Sequence, residues 1–375
     1  MKEKSLYPNN QVMIVFKMWI SKNCRSRRRL TVNLAVTLCA FLFVTNARAF
    51  TAADADAVFA AYNKAFYVTN GHGAFYASTT EGGKAFFWEP AEELEMVLDT
   101  YERTTNPACL TVFTNIFNGF IAEHGTNWQR NDFNDDIMWM VIACARAHQL
   151  TGNTVFRDLA KANFDMCFAR AWSTNLDGGL WWKINNQSKN ACVNGPGAIA
   201  AYLLYQIYGD TNYLAKSRAA FEWERAHLFD ATTGKIFDNI SADGWIDFKS
   251  FTYNQGTFVG AANFLGDTND AKLAADYTRD DLCWHEILPV YRQKGDAGGF
   301  NGICVRWIAK FMKDRGLQAS YQKWLQTNAD AAWRNRRRSD NLAWSRWLEP
   351  TPADTPLYSW ACSSSVVVMQ VVPPE

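Results

Sequence analysis

The sequence predicts an all-α protein, an (α/α)6 barrel built as a toroid of six helical hairpins, and three observations carry that prediction. A glycine-centred turn recurs at fixed spacing: Gly152, Gly209 and Gly266 are 57 residues apart, in Thr151-Gly152-Asn153-Thr154, Tyr208-Gly209-Asp210-Thr211 and Leu265-Gly266-Asp267-Thr268. The segments entering these turns are apolar on every side, whereas those leaving carry one charged stripe. Strand patterns are few.

In each turn, glycine suits the left-handed position that ends one helix, and the Asn or Asp after it caps the next. A looser copy starts at Arg315-Gly316, and a degenerate first copy lies at Thr104-Thr105-Asn106. Ile137-Met138-Trp139-Met140-Val141-Ile142-Ala143 has no polar face, so it belongs inside; Tyr213 to Phe221 has one, so it belongs outside. Each repeat is therefore an inner helix, a turn and an outer helix. The 57-residue period divides the chain after residue 49 into about 5.7 hairpins, enough for a closed ring of six, with an open solenoid as the alternative. Strands are expected only at Gly179-Leu180-Trp181-Trp182 and Lys235-Ile236-Phe237-Asp238.

The 375 residues are 48% hydrophobic and 20% charged, which excludes an intrinsically disordered chain. Nine of the 38 Lys and Arg but only one of the 37 acidic residues lie in residues 1–49, so the remainder carries a net charge of −7. A body that acidic suits neither nucleic acid nor an anionic membrane. The basic run Arg25-Ser26-Arg27-Arg28-Arg29, the apolar stretch from Leu30 to Val44 and the small residues around Ala47-Arg48-Ala49 read as a secretory signal peptide over 1–49. The apolar stretch is short and broken by Asn33, which disfavours an uncleaved anchor. Residues 50–375 then form one catalytic domain, exported to the periplasm, the cell surface or the medium, with no membrane span after cleavage. The seven cysteines of that domain (109, 144, 167, 192, 283, 304 and 362) have irregular spacing and leave room for one or two disulfides. With five scattered histidines they make no metal-ligand pattern, so neither a metal nor a cofactor is expected.

Inner helices of such a toroid run parallel, so the residues heading them meet at one end. Those heads are rich in aromatics, amides and acids: Phe87-Trp88-Glu89, Asn131 to Asp136, Asn190 to Gly195, Thr252 to Gly256, Gly299-Phe300-Asn301 and Leu357 to Trp360. Aromatic faces stack on sugars, and amides and carboxylates bond hydroxyls, so the inventory suits a neutral polysaccharide rather than a phosphate. Asp135-Asp136 is its sharpest element. One reading is N-capping. The other is catalysis: adjacent carboxyls repel, so one stays protonated while its neighbour ionises, and retaining glycosidases need theirs only ~5–5.5 Å apart. Spacing alone leaves both open.

Five segments together resemble glycoside hydrolase family 76, the endo-acting α-1,6-mannanases of (α/α)6 fold. They are Trp88-Glu89-Pro90-Ala91-Glu92, Asn131-Asp132-Phe133-Asn134-Asp135-Asp136-Ile137-Met138-Trp139, Gly178-Gly179-Leu180-Trp181-Trp182, Lys189-Asn190-Ala191-Cys192-Val193-Asn194-Gly195-Pro196 and Tyr253-Asn254-Gln255-Gly256. The resemblance implies an enzyme that cleaves α-1,6-mannosidic bonds of mannan by double displacement, with Asp135 as nucleophile and Asp136 as general acid/base; the acidic body and the absence of an apolar tail make a monomer the expectation. Trp88, Trp139, Trp181, Trp182 and Tyr253 are candidates to stack on mannose, and Asp132, Asn134, Asp177, Asn194, Asn254 and Gln255 to bond its hydroxyls. Asp177 stands where many relatives carry a further glycine. The competing functions are a transglycosylase acting on mannose-containing glycans and a non-catalytic mannan-binding protein.

Overall fold

The structure, a computed structural model, describes residues 49–375, so the expected leader lies outside the described residues except for Ala49. Twelve helices follow one another: α1 (Ala52–Phe66), α2 (Trp88–Thr104), α3 (Pro107–His124), α4 (Asn134–Thr151), α5 (Thr154–Ala171), α6 (Ala191–Tyr208), α7 (Thr211–His227), α8 (Thr252–Leu265), α9 (Thr268–Tyr277), α10 (Phe300–Arg315), α11 (Gln318–Arg334) and α12 (Ser359–Val371). The even-numbered helices form an inner ring: α2 packs on α4, then α6, α8, α10 and α12, and α12 returns to α2. This is a closed (α/α)6 barrel, and the solenoid alternative is excluded.

The turns behave as their sequences dictate. Gly152, Gly209, Gly266 and Gly316 end α4, α6, α8 and α10 at φ of 70°, 67°, 86° and 66°, a region costly to any residue with a Cβ. Thr105 does the same at φ 53° in the degenerate copy, followed by Asn106 as the cap of α3. Five of the six outer helices have side-chain N-caps, from Thr51, Asn106, Asn153, Asp210 and Asp267. None of the six inner helices has one. Their positive dipole ends all face the same end of the barrel, and the first N–H groups of α4, α6 and α8 are met instead by the Trp182 and Asp238 carbonyls and the Tyr291 hydroxyl.

Two expectations need correction. The sixth unit is not a hairpin: the first helix, α1, covers the last, α12, with Gln370 Nε2 donating to the Ala55 carbonyl at 2.8 Å. Strands are also more numerous than the sequence suggests. β1 (Tyr67–Asn70), β2 (Gly73–Thr79) and β3 (Gly82–Lys84) form an antiparallel meander against α3, where a side chain at Gly119 would strike the Ala74 carbonyl. β4 (Ser188–Asn190), β5 (Asn239–Ser241) and β6 (Ile246–Asp247) form a second sheet at the mouth of the barrel. Neither expected segment is a strand: 179–182 and 235–238 make only the isolated bridges of Leu180 with Trp172 and of Ile236 with Phe229. Five of the six strands have two to four residues, too short to show an alternation. The seven cysteines are all free, so no disulfide joins the described residues.

The bore is crossed by a buried ionic network. From α10, Arg306 donates to Glu92 and, at 2.8 Å, to Asp99 on α2; from α4, Arg146 reaches Glu95 at 2.6 Å and Asp99 at 2.7 Å. Burial lifts the Glu92 carboxyl to about 8, against the pull of Arg306, so it holds a proton while the two guanidiniums balance its neighbours. Arg306→Met leaves Asp99 short of a partner inside the protein. It is expected to cost about 3–5 kcal/mol of stability at neutral pH, measured by urea unfolding.

Candidate active site

The six inner-helix heads meet as an aromatic collar. Trp88 of α2 stands edge-on to Trp360 of α12 at 4.6 Å between ring centres and lies 6.3 Å from Trp139 of α4 and 6.4 Å from Phe300 of α10. Phe300 in turn stacks flat on Tyr253 of α8, at 3.8 Å and 8°. These contacts fix the helix heads relative to one another around the carboxyl pair.

Asp135 and Asp136 occupy the first turn of α4, whose N-cap residue is Phe133. Neither carboxylate caps the helix, so the N-capping reading does not account for the pair. Asp135 Oδ2 accepts two hydrogen bonds, from the Trp182 indole Nε1 at 3.0 Å and the Cys192 thiol at 3.3 Å, while its Oδ1 is buried with no partner. Asp136 Oδ2 accepts from Asn131 Nδ2 at 2.9 Å. Burial, reinforced by the charge of Asp136, raises the Asp135 carboxyl well above the usual aspartate range, and burial pushes Asp136 to about 6. The two titrate as a unit that keeps a proton near neutrality. Glu89, one turn into α2, is pushed to about 7, first by burial and further by Asp296 and Asp136.

The loop between α5 and α6 delivers Trp182. Its backbone is gathered by Lys189, whose ammonium is buried without a carboxylate partner: it donates to the carbonyls of Ser173, Asn175 and Gly178 and to the Ser173 hydroxyl. The face of Trp181 lies 4.6 Å from that ammonium, and burial lowers the lysine to about 8. Asn134 fastens the same loop to α4, its Nδ2 donating to the Trp181 carbonyl at 2.7 Å while the Trp182 carbonyl accepts from its backbone N–H at 2.8 Å.

The expected sugar contacts therefore divide. Asn134 and Asn194 spend their amides on loop backbone, the latter on both polar groups of Leu180 and on the Asn190 carbonyl. Gln255 serves Ile236, Gly234 and Ala274 in the same way. Their partners are the protein's own backbone, which the sequence could not reveal. Asn254 donates to Asp238 at 3.0 Å but leaves its Oδ1 free and buried. Trp139 and Trp181 are enclosed, and Trp88 nearly so. Tyr253 and Trp182 remain partly open beside Asp135, and Asp132 is exposed one turn before the pair. Asp177 lies away from it, exposed, with an oxygen 3.6 Å from His227 Nε2. Asn131, Cys192 and Glu89 were expected only as members of the converging helix heads, and the structure adds their direct part in the setting of the pair. One signal for Cys192 was available: it follows Asp135 by 57 residues, the repeat period, and so heads the next inner helix in the same place.

A cavity of about 570 Å³ opens at the opposite end, where the inner helices finish. Its arginines, Arg146 and Arg306, are already engaged by the acids of α2. The carboxyl pair lies at the other mouth.

A closed (α/α)6 barrel with paired, partly buried carboxyls at the converging inner-helix heads is the arrangement of a glycoside hydrolase. The model of "Glycosyl hydrolase family 76" matches residues 50–372, and the chain belongs to that family. It is similar to the GH76A α-1,6-mannanase of Salegentibacter sp. HEL1_6, with 28% identity and a TM-score of 0.79, over 85% of this chain and 98% of that one. An inactive variant of the same protein, with two adjacent aspartates changed to asparagine, holds α-1,6-mannotriose and superposes equally well at 27% identity. A putative mannan endo-1,6-alpha-mannosidase of Schizosaccharomyces pombe is 24% identical over 71% of this chain and 68% of its own length.

The thiol on Asp135 has a measurable consequence. Cys192→Ala removes one donor to the carboxylate and is expected to lower kcat roughly tenfold with KM little changed. Cys192→Ser restores an O–H donor and should recover most of the loss; steady-state kinetics of the two variants decide it.

Proposed function

We propose that the protein is an exported retaining α-1,6-mannanase in which Asp135 is the nucleophile and Asp136 the general acid/base. The single observation that carries this reading is the setting of the pair: two adjacent, buried carboxyls, neither of them a helix cap, that keep a proton between them near neutrality. Burial raises both carboxyls, and the indole N–H and thiol on Asp135 act against that rise and favour its anion. Mannan as substrate is supported by the Salegentibacter mannanase and the yeast relative, and export by the basic and apolar run at 25–49.

In the first displacement Asp135 attacks the anomeric carbon as the glycosidic C–O bond breaks, and the Asp136 proton passes to the leaving oxygen. In the second, Asp136 takes a proton from water, whose oxygen bonds the anomeric carbon and releases Asp135. Two inversions restore the α configuration. The six inner helices surround this chemistry with positive dipole ends that favour negative charge on the nucleophile.

Transglycosylation differs only in the acceptor of the second step, a sugar hydroxyl instead of water, and the products distinguish the two. A binding protein would have no use for two carboxyls held against repulsion. Asp135→Asn and Asp136→Asn are each expected to reduce hydrolysis of linear α-1,6-mannan by about 10³-fold or more while leaving the fold intact, read by product chromatography and circular dichroism. Folded variants that still release mannose oligosaccharides would refute the assignment.

Activity needs one proton on the pair. It should therefore rise with pH as the first proton leaves, with an acid limb near pH 6, and fall again in alkali when the second is lost. A rate profile between pH 4 and 10 tests the sign of both limbs.

A further inference from the structure

Large apolar side chains on a folded surface are ordinary when scattered and informative when they gather. Among the described residues nine are exposed: Val68, Phe86, Val155, Ile184, Trp245, Phe248, Trp284, Val290 and Leu348. Seven of the nine, including all four aromatics, lie in the segments that lead from an outer helix or strand into an inner one. Those segments form the mouth that holds the carboxyl pair. The opposite rim has only Val155, at the start of α5.

Phe86 is the most exposed, at 73%, and the two indoles follow, Trp284 at 67% and Trp245 at 63%. Trp245 sits at the tip of the β5–β6 hairpin, whose sheet is bonded directly to the site. Asn190 pairs with Asn239 and Asn239 with Asp247, while the backbone N–H of Ala191, next to Cys192, donates to the Asp238 carbonyl at 2.9 Å. With strands about 4.8 Å apart and a rise of about 3.3 Å per residue, Trp245 stands roughly 12 Å from Asn190. A bound chain of a few sugars covers that distance. Trp284 belongs to the next segment round the ring, and the two segments touch where the Tyr291 hydroxyl accepts from the Thr252 N–H at 3.1 Å.

An indole held in water at the tip of a hairpin contributes nothing to the core, and neither ring bonds the protein through its Nε1 in this structure. Each has a flat face and a free N–H, the pairing that suits a pyranose: apolar C–H groups on one side and hydroxyls at the edge. The acidic surface and the absence of a gathered basic patch point to an uncharged partner.

We infer that Trp245 and Trp284 form an outlying platform that binds the neutral mannan chain beyond the sugars next to the carboxyl pair. The inference rests on the mannanase reading and extends it from the cleaved bond to the polymer. The platform engages long chains and leaves short ones untouched, since a short oligosaccharide seated at Asp135 ends before it reaches the rim.

The test compares the full chain with Trp245→Ala, Trp284→Ala and the double variant on linear α-1,6-mannan and on α-1,6-mannobiose, which has only the two sugars that flank the cleaved bond. The double variant should raise KM for the polymer by about tenfold, with kcat unchanged and mannobiose kinetics within about twofold of the parent. Val155→Ala, on the far rim, should change neither substrate. An unchanged polymer KM in the double variant overturns the platform and leaves the mannanase reading standing. So does an equal loss on both substrates, which would place the tryptophans at the reacting sugars or in the fold. No cleavage of either substrate by the parent chain defeats the mannanase reading, and the platform with it.

Discussion

A ring of parallel helices is complete only when its last member meets its first, and almost everything in this molecule depends on that closure. Helix α12 fits between α10 and α2, and α1 seals it from outside. The two ends of the described chain are sewn together by Gln370 to Ala55, by Asp330 accepting from the Phe50 N–H at 2.7 Å, and by the Thr80 N–H reaching the Leu357 carbonyl at 2.9 Å. Each pairing joins residues nearly three hundred positions apart, so the loop-closure entropy falls on the final step of assembly. Without it α2 and α10 would lose their common neighbour, and Arg306 could not hold its acids across the bore. The carboxyl pair would then lose the collar that surrounds it.

Within the closed ring, capping is divided between the two layers. Outer helices satisfy their first N–H groups with their own side chains, as stability requires. Inner helices have no cap of their own, and four of the positions where caps would stand are filled by Phe87, Phe133, Phe251 and Tyr358. The barrel thus gives up a modest stabilisation six times over at one end and gathers there a positive field and an aromatic wall. Into that setting it places carboxyls that burial has made reluctant to ionise. Local stability is traded for chemistry at this mouth and kept everywhere else.

Much of this was legible from sequence because it repeats. The 57-residue period reported the hairpins, the left-handed glycines and the caps, since each is a local rule applied again and again. The Asp135-Asp136 pair stood out for the same reason, as two acids where a helix needs at most one. What escaped were partners set by the ring rather than by the chain. Nothing near Asn194 or Gln255 in sequence announces that their amides serve Leu180, Gly234 or Ala274, so a buried amide read as a sugar ligand turns out to be a fastening. Trp182, expected to offer its face, also offers its N–H to Asp135. The first meander was missed because its strands, Tyr67–Asn70, Gly73–Thr79 and Gly82–Lys84, are short and lack a clean apolar and polar alternation.

The seven unpaired cysteines give the folded chain an unusual silence. Burial lifts their thiols, Cys167 and Cys283 to about 12 and Cys144, Cys192, Cys304 and Cys362 upward as well, so almost no thiolate exists at neutral pH. Disulfide exchange requires thiolate, and the native barrel therefore offers almost none to an oxidant. Opening the barrel exposes all seven thiols of the described residues at their ordinary reactivity. In any oxidising setting the outcome would be decided by a race: a barrel that shuts before its thiols are captured is protected from then on, while one that lingers open is committed to wrong crosslinks. The speed of closing, rather than any bond holding the closed form, would then guard the fold.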